Sequence, residues 1–229
     1  MLERVLEPEV MDTAEEARDY DAMDHAAVNT RFCEDLLALG PLPPKVLDVG
    51  TGTARIPIEL ATAAKDVTII AIDLAHHMLD LGRENARNAH VDDRVILEKV
   101  DAKSLPYADG AFDAVISNSI VHHIPEPARA LAEMWRVTKR GGRLFVRDLA
   151  RPSSEEEVDR LVELHGGTPP DDPEARASYF RARELFRASI RAALTTDEVA
   201  ALVAPLGIPK SAVTMTSDRH WTLAFEKAK

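Results

Sequence analysis

From Lys45 onward, short apolar runs alternate with stretches of helical spacing, and no other feature of the chain restricts its fold as much. Val67 to Ile72 is a β-branched apolar run of the kind found in a parallel strand covered on both faces. Lys45 to Val49, Arg94 to Val100, Phe112 to Ser117 and Arg143 to Leu149 are further strand candidates. Residues 53 to 64, 75 to 88 and Pro127 to Thr138 have helical spacing between them. Tyr107-Ala108-Asp109-Gly110 and Gly141-Gly142 read as turns that introduce strands. Strand and helix alternating through short connections predict right-handed crossovers and a doubly wound α/β sheet. Ala212 to Met215 and His220 to Phe225, joined at Ser217-Asp218, predict an antiparallel hairpin on one edge, for seven strands in all.

The segments outside this alternation differ in character. Residues 1 to 40 read as a helical arm or cap, broken early at Pro8 and stopped by Gly40-Pro41-Leu42-Pro43-Pro44. Residues 41 to 229 form the main domain, interrupted at 151 to 194 by two helical stretches on either side of Gly166-Gly167-Thr168-Pro169-Pro170. Thr195 or Thr196 then caps another helix. At 229 residues with 45% apolar side chains, the chain is long enough for one elaborated domain with a real core. Its net charge of −11 argues against a polyphosphate-binding surface, so no nucleic acid is expected as partner. That charge is uneven, because residues 1 to 24 hold nine acids and two arginines. A single cysteine, Cys33, permits no internal disulfide and points to the cytoplasm, and no Cys/His spacing suggests zinc, so no metal is expected. No apolar run reaches the length of a membrane span, and the acidic start is unlike a signal peptide.

Four motifs fall at the carboxyl ends of predicted strands, where doubly wound sheets bind ligands. In V-L-D-V-G-T-G-T-A (46 to 54), Gly50 and Gly52 let the backbone pass close to a ligand. Asp48, beside that turn, would repel a pyrophosphate and favour an ammonium group. Arg55 stands where dinucleotide folds want a small residue. Both disfavour an NAD(P)-dependent oxidoreductase. Asp73, closing I-I-A-I-D, can accept both hydroxyl protons of a ribose. Asp101 and Ala102, in V-D-A-K-S-L-P, suit an adenine amine and ring edge, and I-S-N-S-I-V-H-H-I-P (116 to 125) ends the fourth strand.

Taken together, V-L-D-V-G-T-G-T-A, I-D-L-A-H-H-M-L, D-A-K-S-L-P-Y-A-D-G-A-F-D and R-V-T-K-R-G-G-R-L resemble the class I S-adenosylmethionine-dependent methyltransferases over about residues 44 to 149. D-R-H-W-T-L-A-F is similar to that family's seventh, antiparallel strand, and A-R-D-Y-D-A-M-D to a segment of its quinone-methylating branch. The resemblance implies a Rossmann-like, seven-stranded, mostly parallel sheet and S-adenosyl-L-methionine as cofactor, with S-adenosyl-L-homocysteine as product. It puts the methionine part against Asp48, the turn Gly50-Thr51-Gly52 and Asn118. It puts the ribose on Asp73, the adenine against Leu74, Asp101 and Ala102, and Tyr20 over the cofactor. Arg140 departs from the family's usual proline before the paired glycines.

Such chemistry needs an aligned acceptor and, where the acceptor keeps its proton, a base. His122 and His123 are the best-placed bases, although histidines after a strand often cap or pack the loop. Asp148 and Arg151 either touch an acceptor or form a structural ion pair. Arg183, Arg187 and Arg191 share one helix face, either as a lid for an anionic acceptor or as a solvated face pairing with the acidic arm. The leading expectation is methyl transfer to a small-molecule acceptor, since S-N-S-I replaces the Asn/Asp-Pro-Pro-aromatic motif of base methylation. A non-catalytic cofactor-binding subunit is the alternative.

Overall fold

The computed structural model describes residues 2–7, 12–22 and 26–229; Pro8 and the Met23-Asp24 end of the Y-D-A-M-D segment lie outside them. Two helices, α1 (Ala14–Ala22) and α2 (Ala26–Ala38), precede β1 (Lys45–Val49). Then α3 (Arg55–Ala63) leads to β2 (Thr68–Asp73), α4 (His76–Asn88) to β3 (Val95–Lys99), and a loop to β4 (Phe112–Asn118). A single 3-10 turn (Val121–His123) and α5 (Pro127–Val137) bring the chain to β5 (Thr138–Leu149). The hairpin α6 (Glu155–His165) and α7 (Pro173–Ala192), the short α8 (Thr196–Val203), and the pair β6 (Val213–Met215) and β7 (His220–Glu226) complete the order.

The seven strands form one sheet in the order β3-β2-β1-β4-β5-β7-β6. Strands β1 to β5 pair in parallel, and β7 runs antiparallel to both β5 and β6. Successive strand residues point to opposite faces, so Val46 and Leu47 enter different cores. Leu47, Val115, Leu144 and Val146 pack with Leu131 and Met134 of α5 and Val199 of α8. Val46, Ile69, Ile116 and Phe145 pack with Phe32 and Leu36 of α2 and Leu60 of α3. Within the first 40 residues, α2 therefore supplies core to the sheet. Burial on both faces is the reason the central strands carry so few polar residues.

Local sequence explains most boundaries. Pro57 is the third residue of α3, where its missing N–H has no helical partner to lose. Thr195 caps α8 in a capping box with Glu198, and Ser154 caps α6 by accepting from the Glu157 N–H. The Gly141-Gly142 turn is a correction. Those residues lie inside β5, where Thr138 pairs with Phe112 and pairing resumes only at Arg143 with Ala114. The extra residues bulge out because Gly142 passes so close to the Asp113 and Lys139 carbonyls that a Cβ would sit 2.7–2.8 Å from them.

Candidate active site

Because the chain moves outward from β1 to β3 and then returns to β4 beside β1, a crevice opens at the carboxyl ends of β1 and β4. Gly50 follows β1 with φ +76°, and both its N–H and that of Thr51 donate to the Ile72 carbonyl at 2.8 and 2.9 Å. A Cβ on Gly50 would lie 2.0 Å from Ile120 Cγ2, so only glycine lets the turn pass beneath the loop after β4. This turn shapes an open pocket lined by Gly50, Asp73, Leu74, Ala102 and Asn118. A second compartment, bounded by Asp48, Thr51, Asn29 and Glu59, adjoins it, and Tyr20, Gly50 and Asn118 line both.

Three carboxylates divide this space. Asp73 sits where β2 ends, its Oδ2 accepting from Gly52 N–H at 2.8 Å and its Oδ1 from Ala75 N–H at 2.9 Å. Burial raises its pKa while those N–H donors pull it down. Asp48, 2% exposed at the end of β1, is pushed up to about 7 by burial and the charge of Asp73, against the Thr51 hydroxyl. Asp101 is more exposed; burial pushes it up, but the Lys103 N–H at 2.8 Å and ammonium at 3.1 Å hold it below its ordinary value.

Tyr20 of α1 roofs the junction, with Cε1 3.5 Å from where a Gly52 Cβ would be. Burial and the nearby Asp73 push its phenol up to about 12, so it stays neutral. Asp21 anchors that helix by accepting from Arg55 Nε at 2.9 Å, from Arg55 Nη2 at 2.5 Å and from Asn85 at 3.1 Å. The Arg55 that argued against a dinucleotide is thus the latch of the roof. Asn118 Oδ1 is buried with no hydrogen-bond partner among the described residues. A buried acceptor left unmatched is costly, and Asn118 lines both compartments at the junction where the cofactor's methionine part is expected.

The three candidate catalytic residues separate. His123 lines the pocket, while His122 (3% exposed) and Asp148 (fully buried) lie behind it. His122 Nδ1 is 2.5 Å from Asp148 Oδ1, and Asp148 also accepts from the Val121 and Leu149 N–H groups. Burial opposes the imidazolium, yet Asp148 and Glu7 outweigh it and raise the His122 pKa. Asp148, despite burial, is lowered by His122 and these N–H donors. Glu7 was not legible as a site residue. It arrives from the segment 2–7, which Val5 ties to Arg191 and Arg4 ties to the carbonyls of His122, Ile124 and Ala192. No local pattern around Glu7 announces this, because a remote contact creates it.

Of the two readings of the arginine face, pairing is what the geometry contains, but with α6 in place of the acidic arm. Arg183 meets Glu163 at 2.7 Å, Arg187 meets Asp159 at 2.5 Å, and Arg191 meets Glu155 at 3.1 Å. The four-residue spacing of those acids was the available signal. Arg151 is structural, donating to Ala193 and Leu2 carbonyls and to Glu198.

The chain is similar to known methyltransferases. A family model described as a methyltransferase domain matches residues 47–146. The 27-O-demethylrifamycin SV methyltransferase of Amycolatopsis mediterranei is 32% identical over 203 residues, covering 86% of this chain and 68% of that protein. The demethylmenaquinone methyltransferase of Deinococcus radiodurans is 41% identical over 117 residues, covering 51% of this chain and 48% of that protein. The chain thus spans about two thirds of the first relative and about half of the second. Among solved structures, an S-adenosylmethionine-dependent methyltransferase from Aquifex aeolicus superposes with a TM-score of 0.65 at 19% identity, covering 93% of this chain and 98% of that one.

Proposed function

The chain belongs to the class I S-adenosylmethionine-dependent methyltransferases, and we propose that it transfers the methyl group of that cofactor to a small-molecule acceptor, leaving S-adenosylhomocysteine. The observation that carries this reading is the unmatched Asn118 carbonyl at the junction of the two compartments, between Asp48 on one side and Asp73 on the other. When bound, the cofactor supplies a methyl group already made electrophilic by its sulfonium, so alignment and water exclusion are left to the protein.

Asp48 and the Gly50-Thr51-Gly52 turn receive the methionine end, the carboxylate of Asp48 matching its ammonium. Asp73 keeps lone pairs for ribose hydroxyls after accepting two N–H groups, since an ionised carboxylate has about four acceptor sites. Leu74 and Ala102 enclose the adenine, with Asp101 at its edge and Tyr20 as the roof. His123 faces the acceptor, and Asp148 holds the His122 ring behind it. Of residues 1–40, segment 2–7 and α1 act as the cap while α2 belongs to the core of the domain, and the 151–194 insertion is the acceptor's lid. The relatives act on a rifamycin and a menaquinone precursor by name, which favours a small organic acceptor over nucleic acid. They support neither an oxidoreductase nor a non-catalytic subunit. Among the described residues no helix is long and apolar enough to cross a membrane, and the lone buried Cys33 suits a cytoplasmic setting.

Saturating S-adenosylhomocysteine is expected to raise the melting temperature through preferential binding to the folded chain. No shift at saturation overturns the cofactor assignment. Incubation with methyl-labelled cofactor and a cell extract should yield a labelled small molecule, and label found only in nucleic acid overturns the acceptor class.

A further inference from the structure

We infer that Glu7, His122 and His123 form a binding site for a divalent transition-metal ion. Glu7 Oε1 lies 3.2 Å from His123 Nδ1 and 3.6 Å from His122 Nε2, and one ligand atom from each residue falls within 4.8 Å of the others. Metal bonds of about 2.0–2.1 Å to imidazole nitrogen and carboxylate oxygen place tetrahedral neighbours about 3.3 Å apart. The two measured separations bracket that edge.

The surroundings fix the ligands in the orientation a metal needs. His122 Nδ1 is taken by Asp148 at 2.5 Å, which leaves Nε2 to face Glu7. A metal-binding histidine ordinarily gives its other ring nitrogen to a carboxylate in this way, and the partner fixes both tautomer and ring plane. Asp148 is itself immobilised by the Val121 and Leu149 N–H groups, so the support is rigid. On the other side, Ser189 Oγ donates to Glu7 Oε2 at 3.3 Å and turns Oε1 toward the histidines. That Oε1 atom is buried with no hydrogen-bond partner among the described residues, a condition a cation relieves. Arg4 is the nearby cation, and it spends its guanidinium on the Ala192, His122 and Ile124 carbonyls, not on Glu7.

The donor set selects the class of ion. Two imidazoles and one carboxylate suit Zn²⁺, Co²⁺ or Fe²⁺, whereas Mg²⁺ and Ca²⁺ prefer oxygen ligands throughout. Sequence spacing did not suggest this site because only the folding of segment 2–7 onto the 3-10 turn after β4 assembles it.

The test uses the untagged full-length chain, stripped with a chelator and titrated with Co²⁺, with Zn²⁺ retention after dialysis measured in parallel. About one equivalent of Zn²⁺ and a visible Co²⁺ absorption band of a low-coordinate site are expected. Glu7→Gln and His123→Ala should each weaken Co²⁺ binding by at least about ten-fold, the lower end of what even outer-sphere losses cost. His76→Ala, which alters an exposed histidine 3.2 Å from Asp80, should leave it unchanged. Sub-stoichiometric Zn²⁺ retention overturns the site, as does equal Co²⁺ affinity in wild type and Glu7→Gln. Should His123→Ala not fold, Glu7→Gln decides alone, because it keeps the size of the side chain and an oxygen for Ser189.

Discussion

At the mouth of β1 and β4 the chain is held by backbone hydrogen bonds and close apolar contact: Gly50 and Thr51 bond to Ile72, Gly52 to Asp73, and Ile120 fills the space above Gly50. The helices that cover the neighbouring surface meet differently. α6 and α7 join through three arginine–acid rungs as well as a small apolar cluster around Leu161 and Ile190, and α1 is latched by Asp21 on Arg55. Short, directional contacts permit almost no change of shape, whereas exposed ion pairs exchange partners and weaken with salt. In the proposed function the first kind lies under the cofactor and the second over the acceptor, which suits a site that holds one invariant ligand and one particular to the enzyme.

The sharpest way to break that contrast is Gly50→Val. A side chain there meets Ile120 at 2.0 Å and must adopt a positive φ, so roughly 2–5 kcal/mol of stability should be lost through overpacking and backbone strain, with S-adenosylhomocysteine binding abolished. Calorimetric melting and titration check both, and retained affinity would show the turn to be pliable. Next in size, Asp73→Ala should weaken S-adenosylhomocysteine binding by about 1–3 kcal/mol, the cost of lost buried hydrogen bonds; unchanged calorimetric affinity would remove the ribose assignment.

Asp48 gives a smaller, pH-dependent effect. With its folded pKa at about 7 and an ordinary carboxylate value unfolded, the folded chain holds that proton more tightly. Its stabilising contribution is therefore full below about pH 4 and is lost as pH rises through about 7. The ligand's ammonium requires the ionised form, so affinity should tighten about ten-fold between pH 6 and pH 8. Asp48→Asn should flatten that dependence while making the ligand-free chain more stable at pH 8; an unchanged slope separates Asp48 from the ligand. The smallest effect belongs to the covering helices. Arg187→Ala should cost about 0.2–1 kcal/mol, less at high salt, and a larger, salt-insensitive loss would mean the rungs act as core.

The same division decides what was readable beforehand. Asp48, Gly50, Asp73, Asp101 and Asn118 stand at strand ends, and each strand end is marked locally by an apolar run stopping at a turn. Thr195 capping α8 was legible for the same reason. Gly141-Gly142 misled because a bulge and a turn ask for the same small residues. Arg183, Arg187 and Arg191 were recognisable as a face, but which acids they meet depends on how α6 returns beside α7. Glu7 was beyond reach, since its neighbours His122 and His123 come from another part of the chain.

The placement of β7 between β5 and β6 also sets a timetable for synthesis. β5 ends about 70 residues before β7 begins, so at roughly 5–20 residues per second the nascent chain carries β5 with a bare edge for about 4–14 s. Leu144, Phe145 and Val146 lie on that strand, which makes those seconds the interval in which a stray strand from another molecule competes most effectively with the chain's own. The strand that finally occupies the outer edge, β6, pairs with β7 through only three residues, so the edge strand itself is short.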